Sequence, residues 1–410
     1  MSERRSYDLV IVGGGMVGAS LAIALGGRGL KIALVEAHAP DADSQPSYDD
    51  RAIALAHGSR RIFEAMGVWP SLQDIAEPIQ SIHVSDRGHF GATRLNADDE
   101  GVPALGVVVT ARELGRVLLQ HLAADKHLDV IAPARVVDFV DDGDRVNVEI
   151  EQQGVMTGLD CKLLVAADGG KSSIREQLDV PVRRWTYGQS AVVANISPSQ
   201  PHHNVAYERF TDSGPVALLP MSEGRCALVW TVADGDVDAT LAMDDDAFLT
   251  AFQARFGYRL GRFSRVGKRS AYPLSLLRVL ESVRGRVAII GNAAHTLHPI
   301  AGQGFNLGIR DVAALAEVIT DAQRDGDDIG AAETLARYEQ WRRGEQRGVA
   351  LATDGLARLF SNPLKTLRVG RNLGLLAMEL LPGAKRPLAR AAMGMIGRQP
   401  RLARGVPLDG

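Results

Sequence analysis

Gly13-Gly14-Gly15-Met16-Val17-Gly18 puts Gly13, Gly15 and Gly18 at the spacing G-x-G-x-x-G. In such a turn the first glycine permits a sharp reversal and the second lets backbone N–H groups approach a pyrophosphate. The third lets a helix pack closely on the preceding strand. A helix opening at Met16 and Val17 adds the partial positive charge of its N-terminus. Glycine-rich turns are common, so the neighbours decide the reading. Residues 8–12 form an apolar run, residues 16–27 carry Ala and Leu at helical density, and residues 31–35 form a second apolar run before Glu36. Strand, tight turn, helix and strand within about 30 residues make a βαβ unit. A carboxylate after its second strand accepts hydrogen bonds from ribose hydroxyls, where a 2′-phosphate would want an Arg. Outside that context Glu36 would be an ordinary strand-end carboxylate. The pattern predicts dinucleotide binding.

Two later segments select FAD over NAD. Val165-Ala166-Ala167-Asp168-Gly169-Gly170-Lys171-Ser172-Ser173-Ile174-Arg175 reads as a strand, an Asp-Gly turn and a helix start. Asp168 can cap that helix, which is a purely structural use. Gly291-Asn292-Ala293-Ala294-His295 follows the apolar run 287–290 and leads to Gly302-Gln303-Gly304-Phe305-Asn306, with Asp311 further on. A glycine loop at a helix start offers N–H groups to an electron-rich ring edge or an oxyanion. A dehydrogenase built on one βαβ unit has no need of this second loop so far downstream.

Other chemistry is weaker. His295 and His298 make His-x-x-His on a loop without a third ligand, so no metal is expected. Cys161 and Cys226 show neither disulfide nor zinc spacing, and a reducing cytosol is the simplest setting. Trp185, Tyr187 and Trp230 read as core or pocket wall. Arg209 is either a pocket cation or one half of a strand salt bridge.

The elements that must position these residues follow from the pattern. A chain of 410 residues with net charge −3 is long enough for more than one domain and has no global footprint for nucleic acid. Its early apolar run breaks into glycines before it could span a bilayer. Residues 51–66 read as a helix, 107–109 as a strand and 113–124 as an amphipathic helix. Residues 130–164 read as an antiparallel meander, 190–230 as strand-rich, and 309–322 and 331–350 as helices. The fold expected is α/β: a Rossmann-like FAD-binding domain with an inserted β-rich substrate domain and a helical C-terminus. The FAD-binding parts are placed at 1–78, 105–184 and 285–340, the substrate parts at 79–104 and 185–284, and the helical region at 341–410. In the last segment Arg358, Lys365, Arg368, Arg371, Lys385, Arg386, Arg390, Arg398, Arg401 and Arg404 stand against Glu379 and Asp409. With Leu373, Leu375, Leu376, Met378, Leu380 and Leu381 between them, these charges suit an anionic membrane surface. They suit equally a solvated helix pair on the core or a face for partners in a biosynthetic complex.

The three motifs, in this order, make the chain resemble the aromatic-ring flavoprotein monooxygenases of the p-hydroxybenzoate hydroxylase type, from residue 7 to about 311. Asp50-Arg51-Ala52-Ile53-Ala54-Leu55, Glu208-Arg209-Phe210-Thr211 and Gly267-Lys268-Arg269-Ser270-Ala271-Tyr272-Pro273-Leu274 are similar to the ubiquinone-biosynthesis hydroxylases among them. Val84-Ser85-Asp86-Arg87-Gly88-His89 and Gly67-Val68-Trp69 point to the branch acting on 2-polyprenyl-6-methoxyphenol.

The resemblance implies hydroxylation of a polyprenyl-phenol ring with O2, FAD as cofactor and NADPH or NADH as co-substrate. It implies that Glu36 holds the adenosine ribose, with Gly13, Gly15, Met16, Val17 and Gly18 at the diphosphate. Arg51 would lie near the diphosphate or the isoalloxazine, and Asp168 would serve flavin and reductant. Gly291 and Asn292 would meet the ribityl–phosphate region, and Gly302, Gln303, Gly304, Phe305 and Asn306 the isoalloxazine edge. Two positions depart from the family: Asn292 stands where Asp is usual, and Ala111, beside Arg112, where an FAD-contacting Arg or Gln is usual. The residues name no catalytic base. A cytoplasmic enzyme, peripheral on the inner face of the membrane, is the expected setting. The alternatives are another flavin oxidation such as halogenation or epoxidation, and a non-enzymatic carrier of a prenylated ligand. The four Trp residues form no halogenase pair, and the intact flavin loops argue against a carrier.

Overall fold

The computed structural model describes residues 4–39, 41, 45, 49–297, 302–361 and 365–409. Its first layer is a sheet in which Val287–Ile289, Val155–Ala166, Arg5–Val12, Ile32–Val35 and Leu128–Ile131 lie side by side in that order, all parallel. Leu9, Val10 and Ile11 are fully buried, as a strand covered on both faces requires. Each such side chain contributes roughly 1.5–3 kcal/mol of burial. The helices Met16–Leu25 and Gln303–Asp325 pack against each other on one face. Arg135–Asp141, Val146–Gln152 and Val155–Ala166 form the antiparallel meander at the other end of the same sheet.

A second, nine-stranded sheet takes its strands from Ser81–Asp86, Ala92–Asn96, Val182–Pro198, Val205–Thr211, Gly214–Pro220, Cys226–Ala233, Phe263–Val266, Ser270–Val279 and His295–Thr296. The chain therefore passes between the two sheets several times. The strand Val182–Pro198 pairs with Ser270–Val279 from its first residue, and the helix Ala332–Ser361 runs unbroken across position 340.

The helix expected over 51–66 is corrected. Ala52–Ala56 is a strand, and only His57–Ala65 is helical. Ala and Leu favour helix only by tenths of a kcal/mol. Here five residues instead pair antiparallel with Gly106–Thr110, and Glu77–Ile79 completes a three-stranded sheet. Asn306 fixes this arrangement from outside: its Oδ1 accepts the Ala56 N–H at 2.8 Å and its Nδ2 donates to the Ala54 carbonyl at 2.8 Å.

Candidate active site

Four loops leave the C-terminal ends of four adjacent parallel strands, where ligands of open α/β sheets bind. Gly13 to Gly18 follows Arg5–Val12, Glu36 follows Ile32–Val35, Asp168 follows Val155–Ala166, and Gly291 follows Val287–Ile289. Gly13 has φ +103°, and a Cβ there would lie 2.6 Å from the Ala167 carbonyl oxygen; one on Gly18 would lie 1.9 Å from the Gly13 carbonyl oxygen. Both positions exclude a side chain, which keeps the backbone of the turn open to a ligand. Gly15 stands just before the helix at Met16 and Val17. Glu36 closes on the turn: its carboxylate accepts the Gly14 N–H at 2.5 Å and the His38 N–H at 2.8 Å.

Asp168 accepts the Ile174 N–H at 3.3 Å through Oδ2, while Ser172 Oγ accepts the Arg175 N–H at 3.0 Å as the N-cap of the helix Ser173–Gln177. Its other oxygen, Oδ1, is buried without a hydrogen-bond partner. A buried acceptor left unpaired costs about 1–3 kcal/mol, so a ligand hydroxyl or N–H fits there. With a glycine turn that excludes side chains and a carboxylate beside it, these residues fit an FAD. The buried Arg175 donates to the carbonyls of Ala293, at 2.9 Å, and Gly170, at 3.1 Å, tying the third loop to the fourth.

The fourth loop rests on charges that motif reading passed over. Gly291, with φ +60°, sits against Val17, and its N–H reaches Asp311 Oδ2 at 3.2 Å. The same carboxylate holds His295 Nε2 at 2.6 Å and, through Oδ1, receives Arg342 Nε at 2.8 Å and Gln346 Nε2 at 3.0 Å. Burial pushes the Asp311 carboxyl up, but the contacts with His295 and Arg342 outweigh it and hold it well below the usual carboxylate range. His295 is thus committed to an ion cluster; His298 lies outside the described residues. Among the described residues no three His, Cys, Asp or Glu side chains gather as metal ligands would. Asp311 closes the motif at the helix that begins with Gln303, so its spacing carried a signal. Arg342, on another helix, carried none.

Arg51 donates to Asp49 at 2.7 Å, and its guanidinium lies 4.6 Å over the Tyr272 ring, whose hydroxyl also reaches Asp49, at 3.1 Å. Ala111 is buried at a helix start, and Arg112 turns to Asp50 at 2.9 Å. Gly302, with φ +61°, precedes the helix that opens at Gln303, whose side chain reaches the Ala392 carbonyl at 3.5 Å. Gly302, Gly304, Phe305, Asn306 and Asn292 line one wall of a cavity of about 740 Å³.

Across that cavity stands the second sheet, with Ile82, Val84, Leu219 and Val229 facing it. The C-terminal helices form its roof. Leu375 packs with Phe210 and Met378, and polar latches hold the roof down. Arg371 Nε and Asn372 Nδ2 donate to Asp86 at 2.9 and 2.8 Å, Asn372 Oδ1 accepts the Gly91 N–H at 2.9 Å, and Glu379 accepts the Arg94 N–H at 3.0 Å. Val369, Leu373, Leu380 and Leu381 point outward. The apolar residues of this segment therefore split between two faces. The side chains of Arg358, Lys365 and Arg368 lie outside the described residues.

Trp230 packs in the core on Phe248 and Phe252. Trp185 and Tyr187 bond to Asp354, each at 3.0 Å. Arg209 is no pocket cation; it donates to the Phe256 carbonyl at 2.7 Å.

Loops converging on one edge of a parallel sheet, with an apolar cavity between them and a second sheet, define the architecture of FAD-dependent aromatic monooxygenases. The chain belongs to the FAD binding domain family, whose pattern matches residues 6–350. It is 37% identical to ubiquinone hydroxylase UbiL of Rhodospirillum rubrum, over 99% of this chain and 95% of that one. It is 30% identical to 3-demethoxyubiquinol 3-hydroxylase of Escherichia coli, over 95% and 98%. In fold it resembles p-nitrophenol 4-monooxygenase PnpA from Pseudomonas putida, with a TM-score of 0.79 over 96% of this chain and 100% of that one at 18% identity. It is an FAD-dependent monooxygenase that takes its electrons from NAD(P)H.

Proposed function

We propose that this chain hydroxylates the ring of a polyprenyl phenol in ubiquinone biosynthesis, with 2-polyprenyl-6-methoxyphenol as the substrate. The observation that carries the reading is the cavity itself. An apolar space with few polar side chains suits a prenylated ring, and its inner wall is the Gly302–Phe305 turn. FAD, when bound, carries electrons from NADPH or NADH to O2 and delivers one oxygen atom to the ring. The chain's part is to hold the cofactor and keep water away. Glu36 takes the adenosine ribose, and Gly13, Gly15, Met16, Val17 and Gly18 take the diphosphate. Arg51 and Asp168 flank the flavin. Gly291 and Asn292 meet its ribityl chain, and Gly302, Gln303, Gly304, Phe305 and Asn306 meet its ring edge. The roof helices exclude solvent while the ring is oxidised.

A membrane supplies such a substrate. Among the described residues no helix is long and apolar enough to cross one. The outward Val369, Leu373, Leu380 and Leu381, near Lys385, Arg386 and Arg390, suit peripheral contact with an anionic inner leaflet. The test is oxygen-dependent NADPH oxidation by the FAD-loaded protein with a short-chain 2-prenyl-6-methoxyphenol. Hydroxylated product in step with NADPH consumed supports the reading; oxidation that ignores the phenol and yields no product sinks it.

A further inference from the structure

We propose that Tyr272, on the second sheet, positions the Arg51 guanidinium for the FAD bound at the parallel sheet, a role that rests on reading Arg51 as a flavin contact. Arg51 stands just before the strand Ala52–Ala56. It lines the cavity together with Gly302, Gly304 and Phe305 of the flavin turn, and a Cβ on Gly302 would lie 3.2 Å from the Ala54 Cβ. The helix Ala111–Ala124 fixes the backbone here. The Arg51 carbonyl accepts the Ala111 N–H at 2.8 Å, and the Asp49 carbonyl accepts the Arg112 N–H at 2.8 Å.

Two groups then hold the side chain. Asp49 takes Nε at 2.7 Å, and the guanidinium lies 4.6 Å from the centroid of the Tyr272 ring, whose hydroxyl donates to Asp49 Oδ2 at 3.1 Å. Tyr272 belongs to the strand Ser270–Val279 and pairs with Ala191 of Val182–Pro198, so it reaches Arg51 from the other sheet. Burial holds its hydroxyl above the ordinary value, which keeps it a donor. Among the described residues no hydrogen bond or ion pair engages the two terminal nitrogens of Arg51. With Nε taken and one face stacked, those nitrogens form a planar fork, the geometry that suits a phosphate or an electron-rich ring edge.

An unrestrained Arg side chain samples many rotamers, and the entropy lost when a ligand orders it weakens the contact. Here the order is in place before the ligand arrives. Asp49 alone would hold Nε and leave the guanidinium plane free to turn about it; an aromatic face fixes the plane. A half-exposed ion pair with Asp49 contributes little by itself. The stack comes from a different sheet, so the aim of the fork depends on how the two sheets dock. Loosening the substrate sheet is then felt at the flavin.

The experiment follows FAD release from the holoenzyme by flavin fluorescence on dilution, at low and high salt. It compares wild type, Arg51→Gln, Tyr272→Phe, Tyr272→Leu and the double variant Arg51→Gln/Tyr272→Leu, with thermal midpoints measured alongside. Arg51→Gln releases FAD roughly tenfold faster and with less dependence on salt, as the loss of one charged contact requires. Tyr272→Leu releases it about three- to tenfold faster, and Tyr272→Phe, which keeps the ring, stays within about twofold of wild type. In the Arg51→Gln background, Tyr272→Leu speeds release no further, although it still lowers the thermal midpoint. A merely structural Tyr272 would speed release equally in both backgrounds, and that result overturns the proposal. So does wild-type retention in a folded Tyr272→Leu. Where Tyr272→Leu does not fold, Arg51→Lys decides: faster release supports a positioned planar fork, and wild-type retention overturns it. Wild-type retention in Arg51→Gln overturns the reading of Arg51 as a flavin contact itself, and is seen with Tyr272 in place.

Discussion

His295 and Asp311 meet at 2.6 Å with neither side chain reaching solvent. The carboxylate that makes this pair also takes the Gly291 N–H and the Arg342 guanidinium. One buried oxygen pair thus fixes the loop after Val287–Ile289 to two helices.

Asp311→Asn keeps the shape and removes the charge. Arg342, fully buried, then loses a carboxylate partner, and breaking a buried pair in this way costs about 3–5 kcal/mol. Chemical denaturation should show a loss on that scale together with weaker FAD retention. A variant as stable as wild type would mean that Glu345, the other carboxylate at Arg342, carries the cluster alone.

The same group sets an acid limb. The Asp311 carboxyl is held below its ordinary value in the folded state, so its contribution is complete above the unfolded value near 4 and fades as pH falls below it. Wild-type stability should therefore decline below about pH 4 more steeply than that of Asp311→Asn. Parallel acid limbs would refute the assignment.

Asn306→Ala unties the strand Ala52–Ala56. The buried Ala56 N–H and the half-buried Ala54 carbonyl lose their side-chain partner, which costs about 2–4 kcal/mol together. FAD should bind at least several-fold more weakly, as read by recovery of flavin fluorescence on dilution. Unchanged retention would show that the strand holds its place by pairing with Gly106–Thr110 alone.

Gly18→Ala and Gly344→Ala should move in opposite directions. The first puts a Cβ 1.9 Å from the Gly13 carbonyl oxygen, while the second, in the helix Ala332–Ser361, meets nothing within 4 Å. Gly18→Ala should elute from gel filtration without flavin, and Gly344→Ala should gain roughly 0.5–1 kcal/mol from helix propensity. Full flavin content in Gly18→Ala would contradict the close packing of the turn.

Burial pushes the thiols of Cys161 and Cys226 up to about 12 each. A thiol reagent at pH 8 should label neither in the native protein and both after denaturation. Rapid native labelling would place one of them at the surface.

Much of the site could be read from the chain because backbone geometry writes itself into short motifs. Gly13 and Gly18 are glycines since a Cβ would strike a carbonyl, and that demand is local. The strand Ala52–Ala56 misled because Ala52, Ala54 and Ala56 favour helix weakly, and what overrides them is a partner strand some fifty residues on and an amide at Asn306. Arg342 carries no motif at all, and the run that holds Tyr272 says nothing of Arg51; only packing brings them to Asp311 and Arg51.

The parallel sheet draws its central strands from Arg5–Val12, Val155–Ala166 and Val287–Ile289, with Asn306 beyond them. A nascent chain emerging from the ribosome has its glycine turn within the first twenty residues but cannot close the cofactor cleft until three quarters of the protein has been made. At about 5–20 residues per second, one edge of Arg5–Val12 stays unpaired for roughly 6–26 s, until Val155–Ala166 emerges to pair with it.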